Sequence, residues 1–247
     1  MKKPLIFAVL FIVLKSSILQ AQKADTALQR RIKEKEMASL LYASLRLNGG
    51  TPPSPYSSPE QDCNSAIPVC QNVYSTTQSY SGVGNNDEIP SNSSCLASNE
   101  KNSVWYTFST SSAGNLAFNI TPNSSSDDYD FALYDITGNN CSGISSGAIA
   151  PIRCNYSATA GTTGCSSSGT NASEAASGSN QSSVLATTPG KTYVLVISNY
   201  SSSQSGYTLD FSPGTASIFD NTPPTPRSEG TRLNSSHSVL SRMPSSA

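Results

Sequence analysis

From residue 61 onward, apolar and polar side chains alternate with a period of two. Val104, Tyr106 and Phe108 alternate with Trp105 and Thr107; Leu116, Phe118 and Ile120 with Ala117 and Asn119; Tyr129, Phe131 and Leu133 with Asp130 and Ala132. Tyr193, Leu195 and Ile197 alternate with Val194 and Val196, and Tyr207, Leu209 and Phe211 with Thr208 and Asp210. Successive side chains of a strand point to opposite faces, so each run predicts a β-strand with one face turned to a core. Gly, Pro, Asn and Ser clusters at 110–114, 122–126, 189–190 and 201–206 separate the runs. With further strands around 71–75 and 182–187, about seven or eight short strands span 61–220, an all-β pattern that predicts a jelly-roll-like β-sandwich. Residues 139–180 lack the alternation and read as a long loop.

Upstream the period changes. Leu28, Ile32, Leu40, Leu41 and Leu45 predict an amphipathic helix over Thr26 to Leu47, with the charge run Arg30 to Glu36 on its other, solvated face. Asn48-Gly49-Gly50 stops it, and Pro52, Pro53, Pro55 and Pro59 make 51–60 an extended linker. One helix this short builds no core. Residues 22–50 are therefore a leader that packs on the domain, stays mobile or serves as a pro-segment. Lys2 and Lys3, the apolar run Leu5 to Leu14 and the polar stretch to Ala21 read as a signal peptide over 1–21, cleaved before Gln22. The apolar run falls short of the roughly 20 residues a spanning helix needs, so no transmembrane segment is expected in the mature chain. The first cysteine is Cys63, too far downstream for a lipid anchor.

All six cysteines, Cys63, Cys70, Cys95, Cys141, Cys154 and Cys165, lie beyond that signal, which implies disulfides in a secreted or cell-surface protein. Short loops favour Cys63 with Cys70 and Cys141 with Cys154, leaving Cys95 with Cys165, although many connectivities are open. Composition narrows the chemistry further. The single histidine, His237, lies near the end, and imidazole-dependent nucleophilic catalysis and the commonest zinc sites need one. Between Thr51 and Pro226 there are 3 basic and 12 acidic residues, a net charge of −9 that repels phosphate and disfavours nucleic acid.

From Arg227 the text changes character. Arg227-Ser228-Glu229, Thr231 to His237 and Ser241 to Ala247 resemble, in order, the translation of a short-read sequencing adapter. Residues 227–247 are thus expected to be a non-native tail on a truncated gene, and 221–226, with Pro223, Pro224 and Pro226, the start of a linker to downstream domains of the same polypeptide.

Two motifs compete with plain structural readings. Gly143-Ile144-Ser145-Ser146-Gly147 fits the nucleophile elbow of hydrolases, but neither the flanking strand and helix nor a histidine accompanies it, and in a Ser- and Gly-rich chain the match is chance. Asp127, Asp128 and Asp130 stand at the start of a strand, with Asp128 and Asp130 on one face about 7 Å apart. Hard oxygen donors in a loop-to-strand transition suit Ca²⁺, with Asn123, Asp87 and Glu88 as further donors; alternatively Asp127 and Asp128 cap a turn and Asp130 faces solvent. Paired carboxylates also suit glycoside hydrolysis, but Trp105, the one tryptophan, sits in a strand and reads as core rather than a sugar platform.

The strand motifs carry a resemblance. Asp62-Cys63-Asn64-Ser65-Ala66-Ile67-Pro68-Val69-Cys70, Ser103 to Phe108, Asp128 to Ile136, Pro151 to Ser157 and Gly206 to Phe211 resemble the N-terminal module of large type IX-secreted surface proteins of gliding Gram-negative bacteria. They are also similar to the bacterial pre-peptidase C-terminal domain, a jelly-roll accessory module. The resemblance implies a non-catalytic binding or adhesion module with a surface glycan or protein as ligand. The alternative it implies is an accessory domain of a secreted peptidase or glycosidase whose catalytic part is missing. The pattern departs at Cys165, where the resemblance implies an apolar residue, which counts against Cys95 with Cys165.

Overall fold

The structure, a computed structural model, describes residues 25–37, 58–90, 92–97 and 100–218. The predicted signal peptide, the leader beyond residue 37, most of the proline-rich linker and the stretch from 219 onward lie outside the described residues. The leader contributes helix α1 over residues 25–37. Beyond two 3-10 turns at Pro59–Gln61 and Cys63–Ser65 come thirteen strands, several only two or three residues long. They are β1 (Ile67–Pro68), β2 (Val73–Ser75), β3 (Ser103–Ser109), β4 (Gly114–Leu116), β5 (Phe118–Pro122), β6 (Tyr129–Asp135), β7 (Arg153–Asn155), β8 (Thr163–Ser166), β9 (Ser173–Glu174), β10 (Gln181–Ser183), β11 (Leu185–Thr187), β12 (Thr192–Asn199) and β13 (Tyr207–Asp210). A one-turn helix, α2 (Ser142–Ser145), lies between β6 and β7.

A six-stranded sheet, ordered β1-β3-β12-β6-β7-β9, faces a five-stranded sheet, β10-β8-β5-β13-β2, and β11 pairs with β4 alone. This is the all-β sandwich that the alternation predicts. The long runs fall in its centre: β12 pairs antiparallel with β3 on one side and β6 on the other, with Leu195 opposite both Tyr106 and Leu133. The run 116–120 is split between β4 and β5 at Ala117. Residues 139–180 are not a featureless loop: β7, β8, β9 and α2 lie there. Their pairings are too short to leave an alternation in the sequence; β7 and β9, for instance, pair over two residues only.

The six-stranded sheet is buried on both faces. Its inner face supplies Val104, Tyr106, Phe108, Phe131, Leu133, Tyr193, Leu195 and Ile197 to the core shared with Phe118, Ile120, Tyr207 and Leu209 of the other sheet. Its outer face carries Trp105, Ala132, Tyr134, Val194 and Val196, covered by Ile89, Leu96, Ile144, Tyr156 and the α1 residues Leu28 and Ile32. Trp105 is fully buried there, a core residue as its place in a strand implies.

The outer layer also holds the disulfides, and they are not the pairs that short loops favour. Cys63 bonds Cys141 and Cys95 bonds Cys154, closing loops of 78 and 59 residues, while Cys70 and Cys165 are free. The reason is the face each cysteine occupies. Around β1 the chain passes from the outer cluster, where Cys63 packs, to the inter-sheet core, where Val69 packs, and Cys70 ends up exposed. Cys154 shares its cluster with Ala132, its cross-strand partner. Cys165, opposite Phe118 on β8, points into the inter-sheet core and fills the place of an apolar side chain. Burial pushes its thiol up to about 12, so it stays protonated and inert. Two disulfides fit an oxidising, extracellular setting, and among the described residues no helix is long and apolar enough to cross a membrane.

Candidate functional site: two buried carboxylate pairs

The first pair is Asp128 and Asp130, at the entry of β6. Period two puts both on the outer face, as the sequence implies, and both meet the same cation. That cation is Lys35 of α1, whose side chain is fully buried. Its ammonium donates to both oxygens of Asp130, at 2.6 and 2.7 Å, and to the carbonyls of Ser157 (3.1 Å) and Tyr156 (3.4 Å). Asp128 Oδ2 lies 3.3 Å from the same nitrogen and 3.3 Å from Arg31. The rings of Tyr156 and Tyr200 stand 4.2 and 4.6 Å from the ammonium, within cation–π range, and meet each other edge-on at 6.1 Å. Burial pushes both aspartates upward, Asp130 to about 8, and the Lys35 charge is the largest opposing influence.

The charge run Arg30 to Glu36 is therefore not wholly solvated. Lys35 was legible as an exception: with Leu28 and Ile32 it falls at i, i+4 and i+7, on the apolar stripe itself. Leu28 and Ile32 turn inward as their spacing predicts, while Lys33, Glu34 and Glu36 are exposed.

Calcium does not fit these aspartates. Asp130 is saturated by an ammonium, and Asp127 turns the other way to accept from the hydroxyls of Ser203 (2.6 Å) and Ser205. Asn123 is engaged with the Thr76 and Ser205 carbonyls, and among the described residues no three His, Cys, Asp or Glu side chains gather as a metal cluster. Nor does Asp130 face solvent.

The second pair, Glu88 and Glu100, went unnoticed because the two stand on loops twelve residues apart with no pattern joining them. The Cys63 N–H donates to Glu88 Oε1 at 2.9 Å, the Glu88 N–H to Glu100 Oε1 at 3.0 Å, and the Ser103 hydroxyl to Glu100 Oε2 at 3.0 Å. Glu88 Oε2 is buried and accepts from no N–H or hydroxyl. The two carboxyl groups are thus held in one buried site, which favours the protonated form of each. Burial, with the charges of Asp62 and Asp87 adding to it, raises Glu88 to about 7, and burial with the charges of Glu88 and Asp87 raises Glu100 well above the ordinary range.

Over Glu88 opens a cavity of about 750 Å³ lined by Asn64, Asn85, Asn86, Asp87, Asn140 and Ser145, among others, beside the Cys63–Cys141 bridge. Its wall is shaped by Asp62, which accepts from the backbone N–H groups of Asn85 and Asn86, both at 2.9 Å, and from the Asn85 amide at 2.7 Å. That approach requires Gly84, which has φ of +80° and leaves no room for a Cβ, since one would stand 2.6 Å from Asp62 Oδ1. Ser145, the serine of the elbow-like motif, ends α2 at the rim; its hydroxyl donates to the Ser142 carbonyl at 3.2 Å rather than to any base.

No protein-family model, curated protein or solved structure matches this chain.

Proposed function

We propose that the chain is a non-catalytic extracellular recognition module, the N-terminal part of a larger exported surface protein, and that it binds a glycan in the cavity beside the Cys63–Cys141 bridge. The observation that carries this reading is the cavity's lining. Four asparagines, two carboxyl residues and serines surround about 750 Å³ of open space, a density of mixed donors and acceptors that suits sugar hydroxyls. The disulfide and the Asp62 clamp hold these loops before any ligand arrives, which lowers the entropy lost on binding. The resemblance of the strand motifs to those of type IX-secreted surface proteins supports the export and the parent context. The net charge of −9 over 51–226 favours neutral sugars over phosphate-bearing ligands.

The test is a glycan array probed with the full chain and with Asn64→Ala and Asn86→Ala. Binding by the parent chain that drops at least about tenfold in both variants is expected, the loss of one or two buried hydrogen bonds each. A blank array with folded protein would overturn the reading, as would binding that both variants retain.

A further inference from the structure

We propose that Asp128, Asp130, Tyr156 and Tyr200 form a receptor site for the primary ammonium of a lysine side chain on a partner polypeptide, for which Lys35 is a built-in competing ligand. This site is separate from the cavity over Glu88 and stands or falls independently of it.

Three observations carry the inference. The first is that the sandwich, not the helix, builds the cage. Asp130 sits in the β6–β12 ladder opposite Ser198, the Tyr200 N–H donates to the Asp128 carbonyl at 3.0 Å, and the Tyr156 N–H donates to the Glu174 carbonyl at 3.0 Å. Lys101 braces Tyr200, with its ammonium 4.1 Å from the ring and 2.8 Å from the Tyr200 carbonyl. The second is the cage's chemistry. Two carboxylates, two carbonyls and two ring faces converge on one nitrogen, and the side chain of Asp128 is 1% exposed while its Oδ1 accepts no hydrogen bond at all. A primary ammonium offers a compact charge with three donors; a guanidinium is broad and planar, and a quaternary ammonium has no N–H for the carbonyls.

The third is how few residues of α1 carry the present occupant. Leu28, Ile32 and Lys35 join the packed layer, Arg31 is half-buried at its edge, the Tyr156 hydroxyl donates to the Lys35 carbonyl at 3.4 Å, and neither disulfide includes the helix. The inter-sheet core contains no residue of α1. The helix can therefore lift without opening the sandwich, and a preformed site with two buried carboxyls is left to take another cation. Because Lys35 is tethered, its effective concentration is on the order of millimolar, so an incoming lysine must bring further contacts to the face that α1 vacates.

The experiment is rescue of Lys35→Met in the full chain, a change that keeps the apolar stem and removes the charge. Melting is followed in Nα-acetyl-lysinamide, in Nα-acetyl-argininamide, in the Nε-trimethylated lysinamide, and in NaCl of equal ionic strength. The variant is expected to melt about 10 °C below the parent, the scale for breaking a buried ion pair in a chain of this size, and to recover about 5 °C in the lysinamide only. The parent chain, with its cage filled, is expected to show no response, and Lys35→Met/Asp130→Asn none either. If Lys35→Met does not fold unaided, its refolding yield in the same four solutions is read by the same criterion. A variant that melts like the parent would overturn the proposal, and so would recovery that the trimethylated or arginine compound matches.

Discussion

Two pairs of carboxyl side chains are buried in the outer layer of one sheet, and they are neutralised in opposite ways. Asp128 and Asp130 are met by a lysine from outside the sandwich, with two aromatic rings and two carbonyls completing its shell. Glu88 and Glu100 meet no cation among the described residues, and burial pushes both toward the protonated form. The difference teaches what each region can do. A cage shaped around an ammonium discriminates among cations; a pair of buried acids responds to pH and, through its backbone hydrogen bonds, fixes loops, here the loops that frame the cavity. Burying two like charges without either device costs several kcal/mol, so each pair names its own partner.

The contrast can be broken most forcefully through the bridge above the glutamates. Replacing Cys63 and Cys141 by serine removes a 78-residue loop closure, an expected loss of about 4 kcal/mol in chemical denaturation. It also frees the Cys63 N–H that serves Glu88, so the pH dependence of stability should change as well. Replacing Cys95 and Cys154 should cost a similar amount and leave that pH dependence alone.

Next in size is the ammonium. Lys35→Met is expected to cost about 3 kcal/mol, because it strands two buried carboxyls, and adding Asp128→Asn and Asp130→Asn should return much of the loss. Equal stability of the single and triple variants would mean that the cage needs no cation.

The proton-holding pair is then sharpened by pH. Glu88 titrates in the folded state at about 7, above its ordinary range, and Glu100 is also held well above its ordinary range. Between the ordinary carboxyl range and those values the folded chain binds more protons than the unfolded chain, so this stability is fully present at low pH and is lost as pH rises through 7. Melting temperature should therefore fall between about pH 5 and pH 8, and Glu100→Gln should flatten part of that fall. A melting temperature that rises with pH over this interval would refute the raised titration of the glutamate pair. The smallest effect is expected from Arg31→Ala. Its side chain is 25% exposed and 3.3 Å from Asp128, so a loss of about 1 kcal/mol or less is expected, against the larger loss at Lys35.

Much of the sandwich was readable from alternation because its long strands, β3, β6 and β12, lie mid-sheet and present a continuous apolar face. The short pairings in 139–180 were not, since two to four residues carry no periodicity. Of the candidate site, the shared face of Asp128 and Asp130 was legible and their partner was only hinted at, by a lysine on the apolar stripe of α1. Among the described residues the aspartates do not gather as one calcium donor set, because a sequence shows where acids cluster along the chain but not which cation reaches them first.

By itself, then, the amino-acid sequence determined the class of fold, the inner face of each long strand, the burial of Trp105 and the inward turn of Leu28 and Ile32. These follow from local periodicity, in which the backbone geometry of a few residues decides which way each side chain points. Only the tertiary structure decided that Cys63 meets Cys141, that Cys165 serves as a core residue, that Glu88 meets Glu100 and that Lys35 fills the aspartate cage. Those pairings join residues 12 to 95 positions apart, and which partners meet depends on how the layers stack rather than on any local pattern.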